Sequence, residues 1–395
     1  MKPLDGIRVV DLSRILAGPY CSMLLGDMGA EILKIENPDH GDDTRGWGPP
    51  FIDGQSAYFL SINRNKKSLT LNLKSAEGKE ILTRLIGVSD VLLENFRPGT
   101  LARLGFGYNQ VRTMNPRLVY ASISGFGQTG PLAGRPGYDL IAQGEGGVMS
   151  ITGFPDGPPT KVGTAIADIA AGIFAAQGIL LALYARERTG RGQLVDVSML
   201  DGQVALLTYQ AGIYFATGQA PARMGNQHPT IVPYETFRSK DGYINLAIGN
   251  TSLWRAFCKA IGRQDLSADL RFGTDAARVE NRNALKPIMD SIVAERTTGQ
   301  WLELMEEAGV PAGSVNSVAE ICEHPQIRAR QMVVEVTHPT LGSVKVNGVP
   351  IKLSETPGAV ETAPPLLGQH TEEILTQLLG YSMEEVRMSR QHGVV

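Results

Sequence analysis

Through the first half of the chain, short apolar runs alternate with helical patterns, and that alternation leaves few folds open. Ile7-Arg8-Val9-Val10-Asp11-Leu12 reads as a strand; Ala17-Gly18-Pro19 marks a turn, and Tyr20 to Met28 is periodic like a helix. Gly29-Ala30 closes that helix before the next strand, Glu31 to Ile35. The pattern continues as a strand at Ser68 to Leu73, a helix at Ala76 to Gly87, and strands at Val91 to Glu94 and Leu118 to Ile123. Strands separated by helices predict a parallel sheet covered on both faces, an α/β layer. A long helix near Asp168 to Arg188, the turn Thr189-Gly190-Arg191-Gly192, a strand at Gln193 to Ser198 and a helix from Asp201 extend it.

A chain of 395 residues exceeds what one core usually holds, so a second unit is expected. Residues 1–217 form the first part of a large α/β domain, and 218–233, rich in Gly, Pro, Asn and Gln, is a linker. Residues 234–322 form a smaller α+β domain, with a hairpin around Phe237 to Tyr243 and helices at Trp254 to Ile261 and Thr298 to Ala308. Residues 323–395 return to the large domain, with an antiparallel pair around Val333 to Glu335 and Val344 to Val346 and a final helix at Thr371 to Leu379.

A formal net charge of −3 argues against a nucleic-acid or membrane-surface partner, so an anionic ligand must be met by locally placed basic groups. Cys21, Cys258 and Cys322 are too scattered for a disulfide framework or a zinc site. With no signal-like apolar run at Met1 to Gly6, the expected compartment is the cytoplasm. The stretch Val162 to Ala185 mimics a membrane span, but it holds Asp168, and an ionised group at midspan is costly. A buried helix of a soluble protein is the better reading.

Asp168 is the one charge in that stretch. Along a helix its neighbours Thr164, Ala171, Gly172 and Ala175 are small, so either backbone or a ligand approaches that face. From the residues alone, Asp168 is either a first-turn carboxylate serving the helix N-terminus or a reactive group. Basic residues at Asn63-Arg64-Asn65-Lys66-Lys67-Ser68, together with Asn95-Phe96-Arg97-Pro98-Gly99 and Arg103, fall near strand ends, where such sheets bind ligands. A base and phosphates suit that set, and so does an ordinary solvated surface.

Several ordered segments resemble the class III coenzyme A transferases, the family of formyl-CoA transferase and carnitine CoA-transferase. They are Asp11-Leu12-Ser13-Arg14-Ile15-Leu16-Ala17-Gly18-Pro19, Asp27-Met28-Gly29-Ala30-Glu31, Asn65-Lys66-Lys67-Ser68, Glu94-Asn95-Phe96-Arg97-Pro98-Gly99, Ser124-Gly125-Phe126-Gly127-Gln128-Thr129-Gly130-Pro131 and Thr189-Gly190-Arg191-Gly192-Gln193. The resemblance implies a Rossmann-like large domain, a smaller α+β domain and an interlocked, ring-shaped homodimer. By the same resemblance Asp168 is the nucleophile, and the backbone at Leu16 and Ala17 stabilises the oxyanion. Coenzyme A is then held near Arg14, Leu71, Lys74, Asn95, Phe96, Arg97 and Arg103, with Tyr138 by the reacting group. A basic phosphate contact of the family falls on Asn37. No metal or tightly bound cofactor is implied; acyl-CoA and a small carboxylic acid are the substrates.

Asp42-Asp43-Thr44-Arg45-Gly46-Trp47, Ile231-Val232-Pro233-Tyr234 and Pro365-Leu366-Leu367-Gly368-Gln369-His370-Thr371 resemble the succinyl-CoA:glutarate branch. That weights the acceptor toward a dicarboxylate such as glutarate or itaconate, with Arg45 or Arg223 as a bidentate partner for its distal carboxylate. The rivals are a 2-methylacyl-CoA racemase, which needs a His where Gly137-Tyr138-Asp139 stands, and an acyl-CoA-binding protein without turnover. Thiol chemistry at Cys21 is disfavoured, because a small Cys inside a helix is usually packing.

Overall fold

Nearly every residue of the central strands is buried, which is why the sequence shows apolar runs there rather than alternation. The computed structural model describes residues 1–395. Six strands, β1 (Arg8–Asp11), β2 (Glu31–Glu36), β5 (Lys66–Thr70), β6 (Val91–Glu94), β7 (Val119–Ser124) and β8 (Leu194–Ser198), pair in parallel in the order β5-β2-β1-β6-β7-β8. Between β2 and β5 lies a small hairpin, β3 (Phe51–Ile52) with β4 (Gln55–Ser56). Successive residues of a strand point to opposite faces, so Val9, Ile32, Leu93 and Val119 pack one core and Val10, Leu33, Leu92 and Tyr120 the other. The chain fills one half of the sheet outward from β1 and the other outward from β6. Loops leaving the C-terminal ends of β1 and β6 therefore diverge, and the crevice between them is where such sheets bind ligands.

Four boundaries differ from the sequence expectation. The first helix spans Ala17–Asp27, so Ala17-Gly18-Pro19 is its first turn; proline is tolerated there because its missing N–H has no intrahelical acceptor to reach. Strand β5 starts at Lys66 because the Lys66 ammonium is buried on the Pro19 carbonyl and the Asn63 amide, 2.8 and 2.9 Å away, instead of lying in a surface turn. The last helix is Met383–Gln391, capped reciprocally by Ser382 and Glu385. Thr371–Glu373 ends in a wider turn over Ile374–Leu378.

By its internal packing the chain divides into two units, Met1–Val148 with Val162–Tyr209 and Pro325–Val395, and Met149–Lys161 with Gln210–His324. The stretch read as a linker is bonded into the second unit: the Gly225 N–H donates to the Gly153 carbonyl at 2.9 Å. That unit has its own antiparallel sheet, in which β10 (Tyr243–Ala247) pairs with β9 (Tyr234–Arg238) and β11 (Ala312–Ser314), over a core that includes Trp254, Phe257 and Trp301. In the first unit β12 (Val333–His338) and β13 (Gly342–Asn347) form the antiparallel pair.

The helix Ile166–Thr189 is long and apolar enough to cross a membrane by length and composition alone. Its inner face, Ala171, Ala175 and Ile179, is buried in the core beside Cys21 and Leu25. A Cβ on Gly172 would stand 2.7 Å from the Ala17 carbonyl oxygen, so backbone occupies the space beside that glycine. This contact sets Asp168, one turn earlier, close to the N-terminus of the Ala17–Asp27 helix.

Candidate active site

Loops from the C-terminal ends of β1, β2, β5 and β6 enclose a cleft of about 600 Å³. Its walls include Leu12, Arg14, Asn37, His40, Leu71, Lys74, Phe96 and Arg103. A second, smaller cavity of about 150 Å³ shares Arg14 and Phe96 with the cleft and adds Ile15, Ala17, Asn95, Arg97, Ser124, Gly125, Tyr138 and Asp168. The two cavities are therefore neighbours with Arg14 and Phe96 at their common border, the larger lined by Lys74 and Arg103 and the smaller by Asp168. The larger lies in the size range of small-molecule sites. Gly125 and Gly137 are required for the smaller, because a Cβ on Gly125 would meet the Gly137 Cα at 2.7 Å.

Asp168 is the third residue of its helix, so the first-turn reading holds for its position. The capping function, however, falls to Asp139, whose Oδ1 accepts the Ala167 N–H at 2.9 Å while its Oδ2 accepts from Gln143 at 2.7 Å. The carboxylate of Asp168 takes part in no hydrogen bond or ion pair within the protein. Burial, reinforced by the charge of Asp139, pushes its pKa up to about 7. Tyr58 belongs to the same neighbourhood: burial first, then Asp168, Asp139 and Asp42, hold its phenol up at about 12. Its ring is set edge-on against Trp47 at 5.2 Å.

Opposite this carboxylate is the turn between β1 and its helix. Ile15 has φ of 70°, a left-handed conformation that costs a β-branched residue on the order of 1–3 kcal/mol. Immediately after it the N–H groups of Leu16 and Ala17 have no acceptor in the protein, and no side chain caps the helix. Of the two residues, Ala17 lines the small cavity that contains the unpaired carboxylate, and Leu16 is buried and lines neither cavity.

Other expected residues divide three ways. Leu71, Lys74 and Arg103 line the cleft, Asn95, Arg97 and Tyr138 the small cavity, and Arg14 and Phe96 both. Arg14 lies over the Phe96 ring at 5.3 Å and pairs with Asp43 at 3.2 Å. The amide of Asn95 is engaged with the backbone of Arg14, its Oδ1 accepting the N–H at 2.8 Å and its Nδ2 donating to the carbonyl at 2.7 Å. Arg45 lines neither cavity. Its guanidinium donates twice to Glu36, at 2.7 Å each, and covers the Phe59 ring, so it is not free for a substrate carboxylate. Arg223 lies in the second unit, where it donates to the carbonyls of Phe154 and Gly157. Sequence reasoning gave no role to Tyr58, Asp139, Lys34 or Asp42; Asp139 had drawn notice only in the Gly137-Tyr138-Asp139 segment, for its missing His, and Asp42 only as part of a segment of family resemblance.

A parallel sheet with a ligand cleft over its switch point, and beside it a cavity that holds a lone carboxylate and the start of a helix, is an arrangement suited to acyl-group transfer. The family model of CoA-transferase family III matches residues 4–371, and the chain belongs to that family; it is a CoA-transferase. It is 42% identical to the succinyl-CoA:glutarate CoA-transferase of Mus musculus over 395 residues, covering 100% of this chain and 91% of that protein. It is 46% identical to the acetyl-CoA:oxalate CoA-transferase of Acetobacter aceti over 364 residues, 90% of this chain and 92% of that one. Among solved structures, a CAIB/BAIF family protein from Brucella suis matches with a TM-score of 0.86 at 41% identity, covering 95% of this chain and 99% of that one.

Proposed function

We propose that this enzyme moves coenzyme A from succinyl-CoA to a small dicarboxylate of the glutarate or itaconate class, with Asp168 as the covalent nucleophile. The observation that carries the reading is the unpaired Asp168 carboxylate in a cavity shared with Ala17 and bordered, at Arg14 and Phe96, by the larger cleft. Full-length likeness to transferases named for succinyl-CoA and glutarate supports the choice of acids. Arg97, which makes no ion pair, leaves a positive group in the small cavity.

In the first step an Asp168 oxygen bonds to the thioester carbonyl carbon and the C–S bond breaks, giving an aspartyl-succinyl anhydride and CoA thiolate. The thiolate attacks Cγ of Asp168, releasing succinate and leaving an aspartyl-CoA thioester. The acceptor carboxylate then attacks Cγ and expels the CoA thiolate as the C–S bond breaks, forming a second anhydride; the thiolate attacks the acceptor's acyl carbon, whose bond to the Asp168 oxygen breaks, giving the new acyl-CoA and the free Asp168 carboxylate. Each tetrahedral intermediate puts negative charge on an oxygen that the Leu16 and Ala17 N–H groups can receive. The thioester's energy is retained throughout, since water is never the acceptor.

A second copy of the chain is part of the proposal. Ile173, Leu180, Leu181 and Tyr184 form an exposed apolar face on the Ile166–Thr189 helix, spaced to lie on one side. A racemase would need a second acid or base at the α-carbon, and Tyr138 stands where that His is wanted. The test is incubation with succinyl-CoA and glutarate, read by mass spectrometry. Glutaryl-CoA with equimolar succinate is expected; no exchange, with scrambling of a 2-methylacyl-CoA, would give the racemase reading the field.

A pH dependence follows. Asp168 must be ionised to attack, so kcat/KM should climb with pH through about 7. Glu94 also titrates near 7, raised by burial, and would place a limb in the same range. Asp139→Asn separates the two. It removes a charge that raises Asp168 but does not act on Glu94, so the limb should move to lower pH; an unmoved limb assigns it elsewhere.

A further inference from the structure

The Ser13–Ile15 turn is fastened from below by a buried ion pair that plays no part in the chemistry. Lys34 and Asp42 are both fully buried and paired at 2.8 Å. The Lys34 ammonium also donates to the Ser13 carbonyl at 3.1 Å, and Asp42 Oδ1 accepts the Ile15 N–H at 3.3 Å. Asp42 is itself held by the Thr44 N–H and hydroxyl at 2.9 and 2.7 Å, and its own N–H is fixed on Glu36 at 3.0 Å. Between the two pins, Asn95 binds both polar groups of the Arg14 backbone. Hydrogen-bond partners thus account for Ser13, Arg14 and the Ile15 N–H, and stop at the N–H groups of Leu16 and Ala17.

We infer that the Lys34–Asp42 pair is a positioning device: it holds Ile15 in its strained conformation and so aims the Leu16 and Ala17 N–H groups at the acyl oxygen above Asp168. Both residues lie beneath the larger cleft with neither side chain exposed, so the pair acts on the turn at the reacting end and offers no surface to a ligand. The pair stays charged across the working range. Burial works to lower Lys34 but is outweighed by Asp42, Asp11 and Glu36, and burial works to raise Asp42 but is outweighed chiefly by Lys34, which keeps it at about 2. This inference rests on acyl transfer at Asp168.

Removing one partner leaves an uncompensated buried charge, so the first variant neutralises both, Lys34→Met/Asp42→Asn. Three readouts are taken: melting temperature, the dissociation constant of CoA by calorimetry, and the single-turnover rate of covalent adduct formation from succinyl-CoA. Adduct formation is expected to slow by about 10²-fold, the order of a lost oxyanion donor, while CoA affinity stays within about threefold. Should the double variant not fold, Asp42→Asn alone serves, because Asp11 and Glu36 still face the lysine; a loss of about tenfold is expected there. An unchanged adduct rate in either folded variant, or a loss matched by an equal loss of CoA affinity, overturns the inference. Failure of the underlying reading looks different, since wild-type enzyme would then form no adduct at all.

Discussion

Asp168→Ala is expected to lower CoA transfer by at least about 10³-fold and to abolish the covalent adduct, while CoA still binds within a few-fold of wild type. No neighbouring carboxylate can substitute. Asp139 is committed to the Ala167 N–H and to Gln143, and Asp42 to Lys34 and Thr44. The residues that line the larger cleft, Lys74 and Arg103 among them, are untouched by the change. Intact mass after succinyl-CoA and hydroxylamine reads the outcome: wild type acquires a hydroxamate, and the alanine variant does not. Transfer or modification persisting in Asp168→Ala would remove the nucleophile from this residue.

Asp168→Asn adds a stability readout to the same site. The folded pKa of Asp168 lies above its unfolded value, so the group supports folding at low pH and that support is lost as pH rises through about 7. Above that point the ionised carboxylate destabilises the native state, and a neutral Asn does not. The asparagine variant should therefore melt higher than wild type in alkaline buffer, with a gap that narrows as the pH is lowered. A gap that widens on acidification would mean that the carboxylate is stabilised by a partner, which the geometry does not provide.

Burial on both faces made the sheet readable. Val9-Val10, Leu92-Leu93 and the run around Tyr120 are continuous apolar stretches because helices cover each side of the sheet. The same burial hid Lys34. A lysine within a strand reads as a solvated residue, yet β2 is an inner strand with no solvated face, and the ammonium finds Asp42 only after the chain has turned back past Asn37. Arg45 was misread for a related reason: its partner Glu36 is nine positions upstream, and only the loop after β2 brings them together. The final helix, Met383–Gln391, buries little besides Val386 and Ser389 and so carries almost no apolar period, and Ser382 with Glu385 was its one local signal. Asp168, Phe96 and Arg14 were singled out by family motifs. Residue spacing alone left Asp168 undecided between a helix terminus and a reactive group, since its isolation from hydrogen-bond partners is a property of the folded state.

Gly18→Ala should reduce kcat by about 10²-fold, although the substitution adds one methyl group at a position that contacts no ionisable side chain of the cavity. A Cβ there would stand 2.1 Å from the Ser13 Cβ and 2.3 Å from its Oγ, distances at which something must move. Ser13 cannot yield cheaply. Its N–H and hydroxyl are bound to Asp11, its carbonyl to Lys34, and Asp11 is further held by Ser22 at 2.6 Å. The displacement therefore passes to the turn and to the first N–H groups of the Ala17–Asp27 helix, with an overpacking cost of about 1–3 kcal/mol. Gly87→Ala is the control: it ends the Ala76–Gly87 helix with open space around it and should leave both rate and melting temperature within error of wild type or slightly raise the latter. Steady-state rates and thermal melts of the two variants settle the matter, because Gly18→Ala retaining full kcat would show that the turn adapts and that the placement of its donors does not limit the reaction.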